Sequence, residues 1–316
     1  MAQFTVQVNV SPGDAAYAGV TVPALLRAHD GLDPHRMVVL DAVPRPGLRD
    51  ERTFAERTDR MRAAIAEWKE AGLVDTVLEL TPGAPAIARI ARRYTRPVTE
   101  PFDSRGAPIT SYLLPLEAIE TGFWIHYDGD MLLSQQGGYD WAREGAERLA
   151  EQPRAIAASP RVAPPFERPA GFPDQPSLTR AGARIVRRPD HWETYFFSAR
   201  CFLVDVERFR SLAPFVRWPY LLEVLARRAT NRTYPPFWEV MVHQSYTHPG
   251  RMYRLDLASE QAFTLHPADK GDRFLDLAPF ILEAIREGKV PTAQEGVEDV
   301  DLDAWEAYRL THGSAR

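Results

Sequence analysis

Apolar positions divide this chain into short strand-like runs separated by helical patterns. Residues 4–10 alternate and are rich in β-branched types, which predicts a first strand, and Ser11-Pro12-Gly13-Asp14 reads as the turn after it. Val22, Leu25 and Leu26 share one face of a helical pattern over 20–29. Met37 to Asp41 is a second apolar run ending in an acid. Phe54, Met61, Ile65 and Trp68 give helical spacing over 51–71, and Gly72 closes it. A third strand is predicted at 74–80 and a helix at 84–94. A helical stretch at 108–121 then leads into a buried strand that ends at Asp128. Strands alternating with helices predict an α/β fold with a doubly wound, mainly parallel central sheet flanked by helices. Ligands of such sheets lie beyond the carboxyl ends of the strands, where Asp41 and Asp128 fall.

The pattern changes after Glu151. Seven prolines lie between Pro153 and Pro176, and the one strand candidate there is the weak Ala155 to Ala158 run. Segment 153–182 is therefore expected to be a long irregular loop, either a binding lid or a surface insertion. Strands are predicted near 184–186, 195–197 and 201–205, and helices over 206–213, 219–229 and 236–248. Two short strands are expected within 252–266, and a last helix over 273–288. The organisation expected is one domain, 1–289, in two halves, 1–134 and 135–289, the second holding the proline-rich segment. The acidic tail 290–316 is weakly patterned, with Trp305 and Tyr308 available to dock it.

Composition narrows the function classes. With 316 residues, 45% hydrophobic and 26% charged, the chain has the make-up of a folded enzyme-sized protein. A net charge of −5 argues against a general nucleic-acid binder. The single cysteine, Cys201, excludes an internal disulfide and points to a reducing, cytoplasmic setting. Neither a signal peptide nor a transmembrane run is expected, and no amphipathic or basic stretch suited to a membrane surface stands out.

The candidate chemistry centres on Asp128-Gly129-Asp130. Two carboxylates at a strand tip make a hard-oxygen site for Mg²⁺ or Mn²⁺, the ions that accompany diphosphates. The bland alternative is an Asp-Gly turn. Ser11 and Asp14, in the turn after the first strand, belong to the same end of the sheet. Arg105, before Gly106 and the next helical stretch, is a candidate to clamp a phosphate or a donor sugar with its bidentate guanidinium.

With its flanks, the chain resembles the GT-A fold of nucleotide-sugar-dependent glycosyltransferases over residues 4–288. The matching segments, in order, are the Asp128-Gly129-Asp130 triplet, the Phe197 to Asp205 run, Pro235 to Met241, and Thr264 to Phe274. The resemblance implies that Asp130 is the direct metal ligand and that Asp128 holds the donor ribose or a metal-bound water. It also implies that His266 is a further ligand, Lys270 a diphosphate contact, Asp41 a nucleobase or ribose contact, and Glu239 the base of an inverting reaction. The family commonly carries two adjacent acids at that last point, whereas this chain has Trp238-Glu239. The expected partners are a UDP-, dTDP- or GDP-type sugar donor and a small-molecule or glycan acceptor, with Mn²⁺ or Mg²⁺ as cofactor. Two alternatives stand beside this. A sugar-phosphate nucleotidyltransferase would normally open with a glycine-rich, arginine-containing loop where Ser11-Pro12-Gly13-Asp14 stands. A catalytically silent sugar-nucleotide binder would share the fold.

Overall fold

The first strand, β1 (Phe4–Val10), is buried at all seven positions and lies inside a nine-stranded sheet. The computed structural model describes residues 3–45, 51–166, 184–230, 232–250 and 252–312. β1 pairs in parallel with β2 (His35–Asp41) on one side and β4 (Phe123–Asp128) on the other, and β2 continues to β3 (Thr76–Leu80). Beyond β4 come β9 (Cys201–Asp205), β6 (Ala155–Ser159), β10 (Tyr253–Leu257), β8 (His191–Thr194) and β7 (Ile185–Arg187). Only β9 and β8 run against the other strands, so the sheet is mainly parallel in direction. A separate two-stranded ladder joins β5 (Leu132–Gln135) to β11 (Ala262–Leu265).

Helices cover both faces, as parallel strands require. On one face α1 (Ala18–Arg27), α2 (Glu51–Glu70) and α6 (Trp141–Glu151) bury Leu26, Met61 and Trp141 against Val6 and Val8. The other face carries α3 (Pro85–Tyr94), α4 (Thr110–Leu113), α5 (Pro115–Ala118), α7 (Val206–Ser211), α8 (Tyr220–Thr230) and α9 (Trp238–Gly250). An aromatic cluster of Trp124, Phe197, Phe202, Phe209, Phe215 and Trp238 fills that interface. A third cluster lies under α10 (Asp272–Arg286) and α11 (Leu302–His312), where Trp305 is fully buried. Among the described residues no helix is long and apolar enough to cross a membrane.

Several sequence expectations are corrected. The weak Ala155 to Ala158 run is a fully buried strand, β6, between β9 and β10. Its small side chains explain both its faint signal and its place. A Cβ on Gly145 of α6 would stand 3.2 Å from the Ala158 Cβ and 2.9 Å from Leu203 Cδ2, so helix and sheet approach unusually closely there. The proline-rich segment is thus not one loop from 153 to 182, and its residues 167–182 lie outside the described residues. The strand expected at 195–197 is displaced to His191–Thr194, and Phe197 instead packs in the aromatic core. The pattern over 108–121 divides at Pro115, which opens α5 because a proline fits the first helical position. The weakly patterned tail contains a helix, α11, whose Trp305 is buried in the third cluster.

Candidate active site

Parallel register brings three strand ends to one edge of the sheet. Asn9 of β1 is opposite both Val39 of β2 and Asp128 of β4, so Ser11, Asp41 and Asp128 emerge side by side. The β5–β11 ladder pairs Leu132 with Leu265, and the residues just outside that pair are Met131 and His266. Lys270 follows in the connection to α10. Ser11, Asp14, Asp41, Asp128, Asp130, His266 and Lys270 all line one cleft of about 260 Å³. A larger concavity, about 640 Å³, lies between α1 and α10 but holds Asp140 as its only acid. The smaller cleft is the one with convergent chemistry.

The turn carrying the two aspartates is locked against β1. A Cβ on Gly129 would stand 2.8 Å from the Asn9 carbonyl oxygen and 3.0 Å from Val10 Cγ1. Only glycine allows that approach. The Thr21 hydroxyl donates to the Gly129 carbonyl at 2.5 Å and ties the turn to α1.

The two carboxylates differ in their surroundings. Asp128 Oδ1 accepts from the Tyr112 hydroxyl at 2.8 Å and is flanked by His126 Nε2 at 3.4 Å. Burial raises the Tyr112 hydroxyl, which stays protonated and supports the carboxylate as a donor; burial lowers the His126 imidazole, and the Asp128 contact opposes that. His126 is itself fixed by Gln7 Oε1 at 2.6 Å and by stacking on Phe202. Asp130 is buried; its Oδ2 meets the Lys270 ammonium, with His266 Nε2 3.7 Å away. Its Oδ1 is buried with no hydrogen-bond partner. A buried acceptor without a partner is costly, and a ligand at this point would satisfy it. The far nitrogen of His266, Nδ1, lies 3.3 Å from Asp299 Oδ1, a carboxylate–imidazole contact of the kind that orients metal-binding histidines.

Among the described residues no three His, Cys, Asp or Glu side chains are gathered to cage an ion by themselves. Asp130 Oδ1, buried and unpartnered, offers one hard oxygen to a divalent cation, while His266 Nε2 stands 3.7 Å from the other oxygen, Oδ2, which the Lys270 ammonium holds.

Asp41 is 7% exposed, and burial raises its carboxyl to about 6, opposed by the Val43 N–H and by Arg45. Ser11 and Asp14 are engaged with each other: the Ser11 N–H and hydroxyl both donate to Asp14 Oδ2, at 2.6 and 3.0 Å. The Tyr17 hydroxyl donates to Asp14 Oδ1. Burial raises the Asp14 carboxyl, and the Asp130 charge adds to the effect.

Glu239 and Arg105 do not line this cleft. Glu239 lies in the first turn of α9, and its Oε1 accepts the Ala199 N–H at 2.8 Å. Burial raises its carboxyl; the Asp128 charge pushes the same way, while Arg200 and Arg254 oppose it. It therefore belongs to the electrostatic surroundings of Asp128 without sharing its cavity wall. Arg105 is exposed, with its guanidinium over the Phe237 ring at 4.1 Å.

No protein-family model matches the chain, and no curated protein matches it. Among solved structures it is similar to the galactosyltransferase LgtC in complex with donor and acceptor sugar analogues, at 13% identity over 77% of this chain and 70% of that one, TM-score 0.36. It is also similar to the mannosyltransferase PcManGT from Pyrobaculum calidifontis in complex with GDP-Man and Mn²⁺, at 16% identity over 97% and 69%, TM-score 0.39. A third is UTP-bound UGPase from Acinetobacter baumannii, at 9% identity over 90% and 94%, TM-score 0.45. Scores of 0.45 and below carry no functional argument, which rests on the residues of the cleft.

Four residues of the site escaped the sequence reading. His126 had a usable signal, since it lies two positions before Asp128 on the same face of a strand. Tyr112 and Arg45 reach the cleft from outside the regular strands, and Asp299 comes from the weakly patterned tail. None of these three carries a local pattern that marks it.

Proposed function

We propose that this protein is a nucleotide-diphosphate-sugar-dependent glycosyltransferase that uses Mn²⁺ or Mg²⁺ and inverts the anomeric centre. The observation that carries the reading is the convergence of Asp128, Asp130, His266 and Lys270 on one cleft, with Asp130 Oδ1 left unpartnered. Asp130 and His266 would hold the ion, which when bound neutralises charge on the departing diphosphate.

The chain's own groups account for the rest. Asp128, oriented by Tyr112 and His126, accepts from the donor ribose or from an ordered water. Asp41 accepts from the nucleobase or ribose, and Ser11 with Asp14 shapes the turn beneath it. Lys270 moves its ammonium from Asp130 to the diphosphate as negative charge builds there. Glu239 takes the proton of the acceptor hydroxyl as that oxygen attacks the anomeric carbon and the bond to the diphosphate breaks. A carboxylate raised by burial suits proton transfer better than an ordinary one. Arg105, stacked on Phe237, is proposed to border the acceptor side, where a small molecule or glycan would enter.

The experiment is a panel of UDP-, dTDP- and GDP-sugars with and without Mn²⁺, read by thermal shift and by release of the nucleoside diphosphate. Metal-dependent stabilisation with slow donor hydrolysis is expected from one donor. Stabilisation without any turnover, even with acceptors supplied, would instead mark a silent binder. Pyrophosphate formation from a nucleoside triphosphate and a sugar phosphate would mark a nucleotidyltransferase.

A further inference from the structure

Helix α8 and Trp218, two residues before its start, present apolar side chains to solvent. Tyr220 and Val224 are buried against the aromatic core, whereas Trp218, Leu222 and Leu225 are 72%, 53% and 45% exposed. The chain has seven tryptophans, and the other six are all 8% exposed or less. Leu222 and Leu225, three apart, share one exposed side of the helix, and Trp218 stands exposed just before its start. Burying them elsewhere in this fold is not possible, because the opposite face of α8 already packs on the core.

These side chains are set in positive charge. Residues 217–232 hold four arginines (Arg217, Arg227, Arg228, Arg232) and one acid, Glu223, a local charge of +3 in a chain whose net charge is −5. The end of α3 and the segment after it join this region through the Phe215 N–H to Tyr94 carbonyl bond at 2.7 Å and Arg228 Nη1 to the Pro97 carbonyl at 3.4 Å; residues 95–100 bring one arginine, Arg96, and one acid, Glu100, so the positive excess is unchanged. Two copies of this chain meeting through the same face would set arginine against arginine, so self-association here is opposed by charge. An apolar patch with a tryptophan and a basic border is complementary to a phospholipid surface carrying negative headgroups.

We propose that this face docks the protein peripherally on an anionic membrane surface, with Trp218, Leu222 and Leu225 seated at the headgroup boundary. The inference departs from the sequence expectation that no membrane-facing stretch exists. The sequence hides it because Tyr220, Leu221 and Val224 interleave core positions with the exposed ones. The proposal stands apart from the reaction assigned above. The chain passes from α8 to Glu239 in a single short connection, so docking would bring that side of the protein to the bilayer.

Trp218 supplies the test. The full chain is mixed with vesicles of phosphatidylcholine alone, or of phosphatidylcholine and phosphatidylglycerol in a two-to-one ratio, and followed by tryptophan emission and by flotation. Binding to the mixed vesicles, with a blue shift and loss of iodide quenching, is expected, and neither is expected with phosphatidylcholine alone. The blue shift should vanish in W218F while flotation persists. The double variant L222S/L225S should lose flotation while keeping its far-ultraviolet circular dichroism, since both side chains are exposed. Arg228→Gln should weaken partitioning about fivefold. No flotation with anionic vesicles, equal flotation with both compositions, or full flotation of L222S/L225S would each overturn the proposal. So would a dimer in sedimentation equilibrium that the double variant dissociates, because that makes a second copy the partner.

Discussion

Replacing Asp41 with asparagine should stabilise the free protein at neutral pH while weakening it as a binder. Asp41 is buried at the end of β2, where desolvation raises its carboxyl from 3.8 to about 6. The folded state therefore resists ionisation of this group. Below the unfolded value of 3.8 the residue is protonated in both states and costs nothing. As pH rises through the interval to about 6 the unfolded chain ionises first, and folding stability falls. Above that interval the full penalty applies, about 3 kcal/mol. Asparagine keeps a carbonyl oxygen for the Val43 N–H and has no charge to desolvate. The stability difference between Asp41→Asn and wild type should be smallest near pH 3.5 and grow by about 3 kcal/mol toward pH 8, as read from urea unfolding midpoints along a pH series. Donor affinity should fall in the same variant, because under the proposed function Asp41 accepts from the nucleobase or ribose. A difference that does not vary with pH, or one that favours wild type increasingly as pH rises, would refute the desolvation argument.

Other consequences follow from the same geometry. Glu239→Gln should lower turnover by about 10²- to 10⁴-fold with donor affinity retained in calorimetry, and wild-type turnover in that variant would remove its role as base. In the wild type, kcat/KM should rise with pH through a value above the ordinary glutamate range, because burial raises the Glu239 carboxyl and the base acts deprotonated. Gly129→Ala, whose Cβ would meet the Asn9 carbonyl at 2.8 Å, should cost about 1–3 kcal/mol in denaturant unfolding and also weaken donor binding, since the turn carries Asp130. Trp305→Ala should cost about 3–5 kcal/mol, as it empties a fully buried site and strips Gln294 of a hydrogen bond; a loss below about 1 kcal/mol would show that the tail does not dock as described.

The sheet was legible where apolar residues were large and strands ended in polar turns. β1, β2, β4 and β9 all carry branched or aromatic residues, and each could be read from its own segment. β6 was nearly invisible because its residues are three alanines, an isoleucine and a serine among prolines, and its burial is a product of neighbours that the local sequence does not name. The helix Trp141–Glu151 is likewise an addition to the elements the sequence suggests, although Asp140 caps it through the Ala142 N–H. At the site, Asp128, Asp130, His266 and Lys270 could be anticipated as a group, and they do share a cleft. Two of their supports could not. Tyr112 and Asp299 act across distances of 16 and 33 residues, set by packing and not by periodicity. Arg105 illustrates the opposite case: its residue type suggested a phosphate clamp, and its guanidinium lies on Phe237 outside the cleft.

Under the proposed function, Asp130 is the point where a diphosphate-bound cation attaches. Isothermal titration of nucleotide-diphosphate sugars into the wild type and Asp130→Ala, each with Mn²⁺ and with excess EDTA, tests this directly. Binding of one donor class to the wild type in Mn²⁺ alone, and its loss in EDTA and in Asp130→Ala, is the predicted result. Equal affinity in all four conditions, or binding that Asp130→Ala leaves unchanged in Mn²⁺, would contradict it.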